Sequence, residues 1–431
     1  MSAMTGKSVP ALRFPEIEGS EWTSLPLSEL VLFHNSGVYK KKEEYGSGNN
    51  IIGVSNFYSV DSVDGQEFAR VPLCGVEKKK YTLEEGDILY TESSLVREGI
   101  AKALFVTESG QGTAFAWHTR RIKLKRERVS PAFLYFQLSS PRARKFIMSV
   151  ATQTALTGIT TADYFRTPIL IPTLPEQQKI AAFLGAVDEK INGLEQKKAL
   201  LTDYKRGVMQ KLFSQELRFK DDQGRDFPDW EERRLGEVFT WVRTNSLSRE
   251  KLGDEPSEVQ NIHYGDIHTK FHANFRQERE HVPYILGAKV TDFAETDFCR
   301  LGDVVIADAS EDYADIGKAI EIVELGEVPL VAGLHTYIAR PKEDSVVLGF
   351  AGYLLRSATM RAQIMRIAQG ISVLGVSKGN LEKLTLELPH RNEQRKIANF
   401  LSSIDTQIAL VNNEIVEAKN FKKGLLQQMF V

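Results

Sequence analysis

The side chains best able to do chemistry fall in two groups. His263, Asp266, His268 and His272 lie within NIHYGDIHTKFH, and imidazole with carboxylate suits zinc or nickel. The same stretch also reads as a polar loop, with His263, Tyr264 and His268 offering hydrogen bonds to base edges or phosphates. Asp308, Glu311, Asp312 and Asp315 form an acidic group, of the kind that holds a divalent cation in a nuclease. The only two cysteines, Cys74 and Cys299, are too few for a disulfide framework or a cysteine zinc site and suit a reducing compartment.

Whether either group is a catalytic centre is tested by comparing the chain with itself. EQQKIAAFLGAVDEKI from Glu176 matches EQRKIANFLSSIDTQI from Glu393, and the register runs on from Lys205, Gly207, Gln210 and Phe213 to Lys422, Gly424, Gln427 and Phe430. Upstream, GDILYTESS from Gly86 answers GDVVIADAS from Gly302, His118-Thr119 answers His335-Thr336, Gly158-Ile159-Thr160 answers Gly375-Val376-Ser377, and Leu12-Arg13-Phe14 answers Leu217-Arg218-Phe219. The chain is therefore one unit written twice, and two long units point to pseudo-twofold symmetry rather than a solenoid. The copy around IIGVSNFYSV has no histidine, and Glu92, Leu95, Val96 and Gly99 replace the four acids. Two copies that keep a frame and exchange its loop side chains read as two readers of different targets. We expect neither a metal site nor a catalytic residue in this chain.

Short apolar runs between glycines and polar turns predict strands: DILYTES, AKALFV and RRIKLK in the first copy, DVVIADAS, KAIEIVEL and HTYIARP in the second. PAFLYFQLSSPRARKFIMSVA and LGFAGYLLRSATMRAQIMRIA predict helices, so each copy is α+β. Beyond each lies a heptad seam: Ile180, Leu184, Val187, Ile191, Leu194 and Leu201, and again Ile397, Leu401, Ile404, Ile408, Val411 and Ile415. Steps alternating four and three call for a coiled-coil partner, and each helix is the other's obvious one. Lys205 and Lys422 interrupt the seam and would fix its register. Gly207 and Gly424 imply a close backbone approach or a kink. The expected order is a segment 1–20, a domain 21–173, a helix 174–213, a linker 214–229, a domain 230–388 and a helix 389–431.

At 431 residues, 42% hydrophobic and 26% charged, the chain is an ordinary globular protein of two or three domains. No apolar stretch suits a signal peptide or a membrane span, and we expect a cytoplasmic protein that does not meet a membrane. The net charge of −2 does not advertise nucleic acid. Locally, Arg120, Arg121, Lys123, Lys125, Arg126, Arg128, Arg142, Arg144 and Lys145 stand with only Glu127 among them, either as a phosphate track or as a solvated face. There is no G-x-x-x-x-G-K-[ST], dinucleotide-type glycine turn, H-E-x-x-H, G-x-S-x-G, Asn-Pro-Pro or Asp-Pro-Pro.

The motif P-x-x-x-E-Q-x-K-I-A-x-F-L, ending in K-x-G-x-x-Q-x-x-F, occurs at Pro172–Leu184 with Lys205–Phe213 and at Pro389–Leu401 with Lys422–Phe430. It resembles the helical regions of type I restriction-modification specificity subunits. The segment Leu217–Phe239 looks like that family's entry into a second target recognition domain. The resemblance implies two mixed α/β target recognition domains separated by two helices in an antiparallel coiled coil, each domain reading one half of a bipartite double-stranded DNA target. It also implies two docked methylation subunits, with restriction subunits joining, and S-adenosylmethionine, ATP and magnesium bound by those partners and none by this chain. By position in the repeat, the DNA-facing candidates of the first copy are Lys40, Lys41, Lys42, Asn56, Tyr58, Ser93, Ser94, Arg97, Thr154, Thr157 and Thr160. Those of the second are Asn261, His263, Tyr264, His268, Lys270, Ser310, Tyr313, Ser372, Ser377 and Lys378. A related system that cuts on both sides of its site, and a repressor without enzyme partners, remain open.

Overall fold

The computed structural model describes residues 10–14, 21–153, 156–342 and 345–430, so Thr154 lies outside the described residues. The chain forms two compact units, 1–195 with 413–431 and 196–412, each an α+β body that includes parts of both long helices.

In the first unit five strands run in the order Val31–Ser36, Thr119–Leu124, Ile88–Thr91, Ala103–Val106, Ser62–Val63. In the second the order is Phe239–Val242, Thr336–Pro341, Val304–Ala307, Ala319–Glu324, Asn274–Arg276. In both, the last pair is parallel and the others antiparallel. The central strands are continuous apolar runs because they are covered on both faces; Ile88, Leu89 and Tyr90, like Val304, Val305 and Ile306, are buried. The strands predicted from DILYTES, AKALFV, RRIKLK and their counterparts are these. A smaller sheet joins Asn49–Ile52, Ala69–Val71 and Ala114–Phe115 in the first unit. The corresponding sheet of the second has four strands, Leu252–Gly253, Tyr284–Ile285, Gln260–Ile262 and Leu330–Ala332.

Each predicted helical stretch is a pair of helices, Pro131–Ser139 with Pro141–Val150 and Ala351–Leu355 with Ala358–Ile367. Ser140 and Ser357 cap the second member, accepting from the amides of Ala143 and Met360. A serine in extended conformation ends one helix and satisfies the next.

The long helices span Leu174–Phe213 and Arg391–Met429. Within each unit they run antiparallel. In the first unit Asp188 meets Lys422 at 2.6 Å and Glu195 meets Lys419 at 2.6 Å; in the second, Lys198 donates to Asn412 at 2.6 Å and Lys205 meets Asp405 at 2.6 Å. All twelve seam residues are buried or half-buried. The two interrupting lysines are held alike. Lys205 also lies 5.0 Å from the Tyr353 ring, whose hydroxyl donates to Asp405 at 2.7 Å, and Lys422 lies 5.7 Å from the Phe136 ring. A cation between a carboxylate and an aromatic face is satisfied at one axial register only.

At each helix start a buried carboxylate gathers the chain. Glu176 accepts from Arg13 at 2.9 and 2.8 Å and from the Trp22 indole at 3.2 Å. Glu393 accepts from Arg218 at 3.2 and 2.8 Å and from the Trp230 indole at 3.3 Å. The next residue, Gln177 or Gln394, donates to the carbonyl of Pro172 or Pro389 and accepts the amide of Ser130 or Val347.

One expectation is corrected. A Cβ on Gly207 or Gly424 would meet nothing within 4 Å, and both helices run on through these positions, so there is neither a close approach nor a break. Seven cations of the basic run are engaged within the fold. Arg121 is buried and donates to the carbonyls of Thr82 and Lys80. Arg120 holds Glu92, Lys123 pairs with Glu84, and Lys125, Arg126, Arg128 and Arg144 donate to backbone carbonyls. These cations tie strand ends to loops.

Gly207→Ala and Gly424→Ala should each raise stability by about 0.5–1 kcal/mol, since an open helical site gains propensity without a clash; a lowered midpoint in denaturant would contradict the open site. A pH effect is expected from Glu321, whose carboxylate accepts the amides of Gly349 at 2.6 Å and Gly352 at 2.8 Å. Burial pushes its carboxyl up from 4.5 to about 7. Because the folded value lies above the unfolded one, the contribution is fully present below about pH 4.5 and is lost as pH rises through about 7, on the order of 3 kcal/mol. Glu321→Gln should flatten unfolding free energy against pH in that window; an unchanged slope would assign it to other groups.

Candidate nucleic-acid interface

One backbone junction recurs in each unit, built on a histidine in left-handed conformation. His118 has φ 66° and His335 φ 58°. Each sits in a tight turn closed by the following threonine: Thr119 Oγ1 donates to the Ala116 carbonyl at 2.5 Å, Thr336 Oγ1 to that of Gly333 at 2.5 Å. The histidine carbonyl accepts the amide of an acidic residue, Glu92 at 3.1 Å or Asp308 at 3.0 Å, and the acid's carbonyl accepts Ile159 or Val376. Left-handed non-glycine backbone is uncommon and costs free energy, so its recurrence marks a constrained place. In the second unit the turn also requires Gly333, where a Cβ would stand 2.5 Å from the Asn261 amide.

The acids carry different partners. Glu92 accepts from Arg120 at 2.6 Å, whereas Asp308 faces Nδ1 of His335 at 3.2 Å. In the first unit Ser93–Ser94 follows the acid and pairs with Thr157–Gly158. Tyr58 joins the Ser94 hydroxyl at 2.7 Å, and Arg97 donates to Met148. Thr160 caps the next helix, accepting the amide of Asp163. Asn56, on the same short turn as Tyr58, accepts Gly53. In the second unit Ala309–Ser310 pairs with Leu374–Gly375. Ser377 caps Lys378–Leu381, and Lys378 lies 5.0 Å from Tyr337 and 5.8 Å from Trp241. The Tyr264 ring stands 5.3 Å from His335, 4.5 Å from His263 and 5.8 Å from His268. Burial lowers the pKa of His263 and His268, which favours neutral imidazoles able to accept as well as donate.

The sequence therefore named neighbours: Tyr58, Ser93, Ser94, Arg97 and Thr157 come together in one unit, and Tyr264, His268, Ser310, Ser377 and Lys378 surround the junction of the other. Five named residues are frame rather than surface. Asn261, His263, Ser94, Thr157 and Ser310 are buried; Asn261 accepts from Asn245 and donates to Ile262, and His263 Nδ1 accepts the amide of Gly265. Tyr58, Tyr313, Ser372, Ser377, Lys41 and Lys42 are exposed, while Lys40 is engaged by Glu77 at 3.1 Å. His118, His335, Glu92, Asp308 and Trp117 were not among the DNA-facing candidates, although the repeated His-Thr pair was visible.

The candidate metal ligands have separate partners. Asp266 lies between Arg249 at 2.5 Å and Lys270 at 2.8 Å, and His272 faces Glu280 at 3.4 Å. Among the described residues no three His, Cys, Asp or Glu side chains converge as a metal site. In the acidic group Asp312 accepts the amide of Ala314, and Asp315 pairs with Lys318.

Two bodies with one frame, one recurring junction and different side chains around it define a duplicated recognition protein. The family model for the type I restriction modification DNA specificity domain matches residues 19–202 and again 228–420. The chain belongs to that family. The chain is 24% identical over 434 residues to the type I restriction enzyme MjaVIII specificity subunit of Methanocaldococcus jannaschii, covering 97% of this chain and 93% of the relative. It is also 24% identical over 225 residues to the EcoKI specificity subunit of Escherichia coli, covering 50% of this chain and 47% of that one. A crystal structure of a type I restriction-modification S subunit from M. genitalium shares the fold with TM-score 0.57 at 14% identity, over 98% of this chain and 99% of that one.

Asn261→Ala should cost about 1–2 kcal/mol in unfolding free energy, since a buried amide loses its bonds to Asn245 and Ile262, whereas Tyr313→Ala, at an exposed position, should stay within about 0.5 kcal/mol. Denaturant titrations of both variants check this partition; equal losses would contradict it.

Proposed function

We propose that this chain is the DNA-reading, non-catalytic subunit of a type I restriction-modification complex, each unit reading one half of a bipartite duplex target. The observation that carries the reading is the junction: backbone connections around His118 and His335 are the same, while the side chains on them differ. A conserved frame with exchanged donors and acceptors is what reading two different base sequences requires. The polar and aromatic residues beside each junction, the exposed Tyr58 and Arg97 in one unit and the exposed Tyr313 and Ser377 with half-buried Lys378 in the other, are the proposed readers.

The paired helices would set the distance between half-sites and dock two methylation subunits, with restriction subunits joining them. S-adenosylmethionine, ATP and magnesium would be held by those partners, a division supported by the lack of phosphate-loop and methyltransferase motifs in this sequence. No helix among the described residues is long and apolar enough to cross a membrane, and we place the complex in the cytoplasm, where chromosomal DNA is its substrate.

Replacing residues 21–173 with the matching domain of a relative should change one half of the methylated motif and leave the other, as read by methylation mapping of DNA from cells carrying the system. A change in both halves would contradict independent reading. The purified chain alone should transfer no methyl group to DNA; transfer free of contaminating methyltransferase would overturn the assignment.

A further inference from the structure

A cleft of about 300 Å³ opens in the first unit beside the His118 turn. Its floor is the buried pair Val38 and Ala116, and its walls are Tyr39, Tyr45 and Trp117, with Lys40 and His118 at the edge. The three aromatic residues are 62%, 39% and 50% exposed. Large rings left open together on a soluble body mark an interaction site. Tyr39 and Trp117 meet edge to face, with centroids 5.2 Å apart and planes at 76°, and the His118 ring lies 5.7 Å from Trp117 at a tilt, contacts that leave much of both exposed rings for a ligand.

The surroundings say which ligand. The Lys40 ammonium lies 3.1 Å from Glu77 and 3.7 Å from Glu44, and the hydrogen bond to Glu77 raises its pKa, so it stays charged. Lys41 and Lys42 follow it, exposed. Glu77 belongs to the helix Gly75–Tyr81, whose last turn carries Lys78, Lys79 and Lys80, all exposed. Of the six lysines Lys40 lines the cleft and the other five stand on the two segments that the Lys40–Glu77 pair joins, so that against Glu43, Glu44 and Glu77 the surroundings are net cationic. Flat aromatic faces inside a cationic rim suit a nucleobase and the phosphates on either side of it. At the counterpart of Trp117 the second unit has Leu334 before its His335, so the cleft belongs to one reader.

We propose that the Tyr39–Trp117 cleft receives one unstacked nucleobase of the bound DNA, with its flanking phosphates on the lysines of the rim. The inference rests on the DNA-reading function proposed above and adds to it a mode of contact, stacking on a base outside the helix, that edge reading does not include.

The test uses the full chain, a mixed-sequence single-stranded oligonucleotide and a mixed-sequence duplex, followed by tryptophan fluorescence and by direct binding. Stacking on Trp117 should quench its emission saturably with the single strand, and Trp117→Leu should abolish that component. Tyr39→Ala should weaken single-strand binding roughly 5- to 150-fold, the loss of one stacked base, and Tyr39→Phe should restore it. Both side chains are exposed, so the variants should keep the unfolding midpoint of the parent, which separates this loss from misfolding. Quenching that persists in Trp117→Leu, or unchanged single-strand affinity in Tyr39→Ala, overturns the cleft while leaving DNA reading intact. Loss of a co-expressed methylation subunit with unchanged single-strand binding also overturns it and makes the cleft a protein contact. A chain that binds neither oligonucleotide removes the DNA-reading proposal itself.

Discussion

The structure depends on two buried carboxylates. Glu176 and Glu393 are almost fully shielded from solvent, and a charge in that position is tolerable only when paired and hydrogen-bonded. Each is satisfied by an arginine from the segment that precedes its domain and a tryptophan at the domain's start, while the neighbouring glutamine binds the carbonyl just after the domain's last strand. Within each unit the start of the domain, its last strand and the first turn of the helix are therefore pinned at one point. A recognition surface has a defined direction relative to its helix because of this knot. The glutamate is not interchangeable with an apolar residue, since the arginine would then be stranded.

The second constraint lies along the helices. An apolar heptad seam alone permits sliding by whole heptads. Lys205 with Asp405 and Tyr353, and Lys422 with Asp188 and Phe136, oppose that: any slip separates a half-buried cation from its carboxylate and its ring. The lysines lower the apolar content of the seam and give each unit its register, and in each unit the aromatic partner comes from the domain rather than from the helices. Seam and domain are thus fastened by the same group.

Much of this was legible because it was periodic or duplicated. The seam followed from 3.5-residue spacing, the strands from apolar runs, and the two-part organisation from self-comparison. The failures share a physical cause, in that composition along a chain does not say which partner a side chain meets. Arg121 reads as one more cation in a basic run, but it is spent on carbonyls at the end of a helix some 40 residues earlier. Gly207 reads as a packing glycine because glycine is costly in a helix, yet the space beside it is open. Asn261 was placed among the readers by its position in the repeat and lies inside, because Gly333 leaves room for its amide. The left-handed histidines left a trace in the repeated His-Thr pair, but backbone conformation cannot be read from residue type when the residue is not glycine.

That last feature explains how one frame can serve two targets. At the junction the fixed connections run between backbone groups, with one side chain, the shared threonine, added: a histidine carbonyl to an acid's amide, the acid's carbonyl to the strand-end amide, a threonine hydroxyl to the turn. None of these bonds involves the side chain of the histidine or of the acid. The side chains at the junction are consequently free to vary without loss of the fold, and they do, with Arg120 on Glu92 in one unit and His335 on Asp308 in the other. Separating the groups that hold the surface from the groups displayed on it lets a duplicated domain diverge in what it reads while its stability and its attachment to the helix are kept.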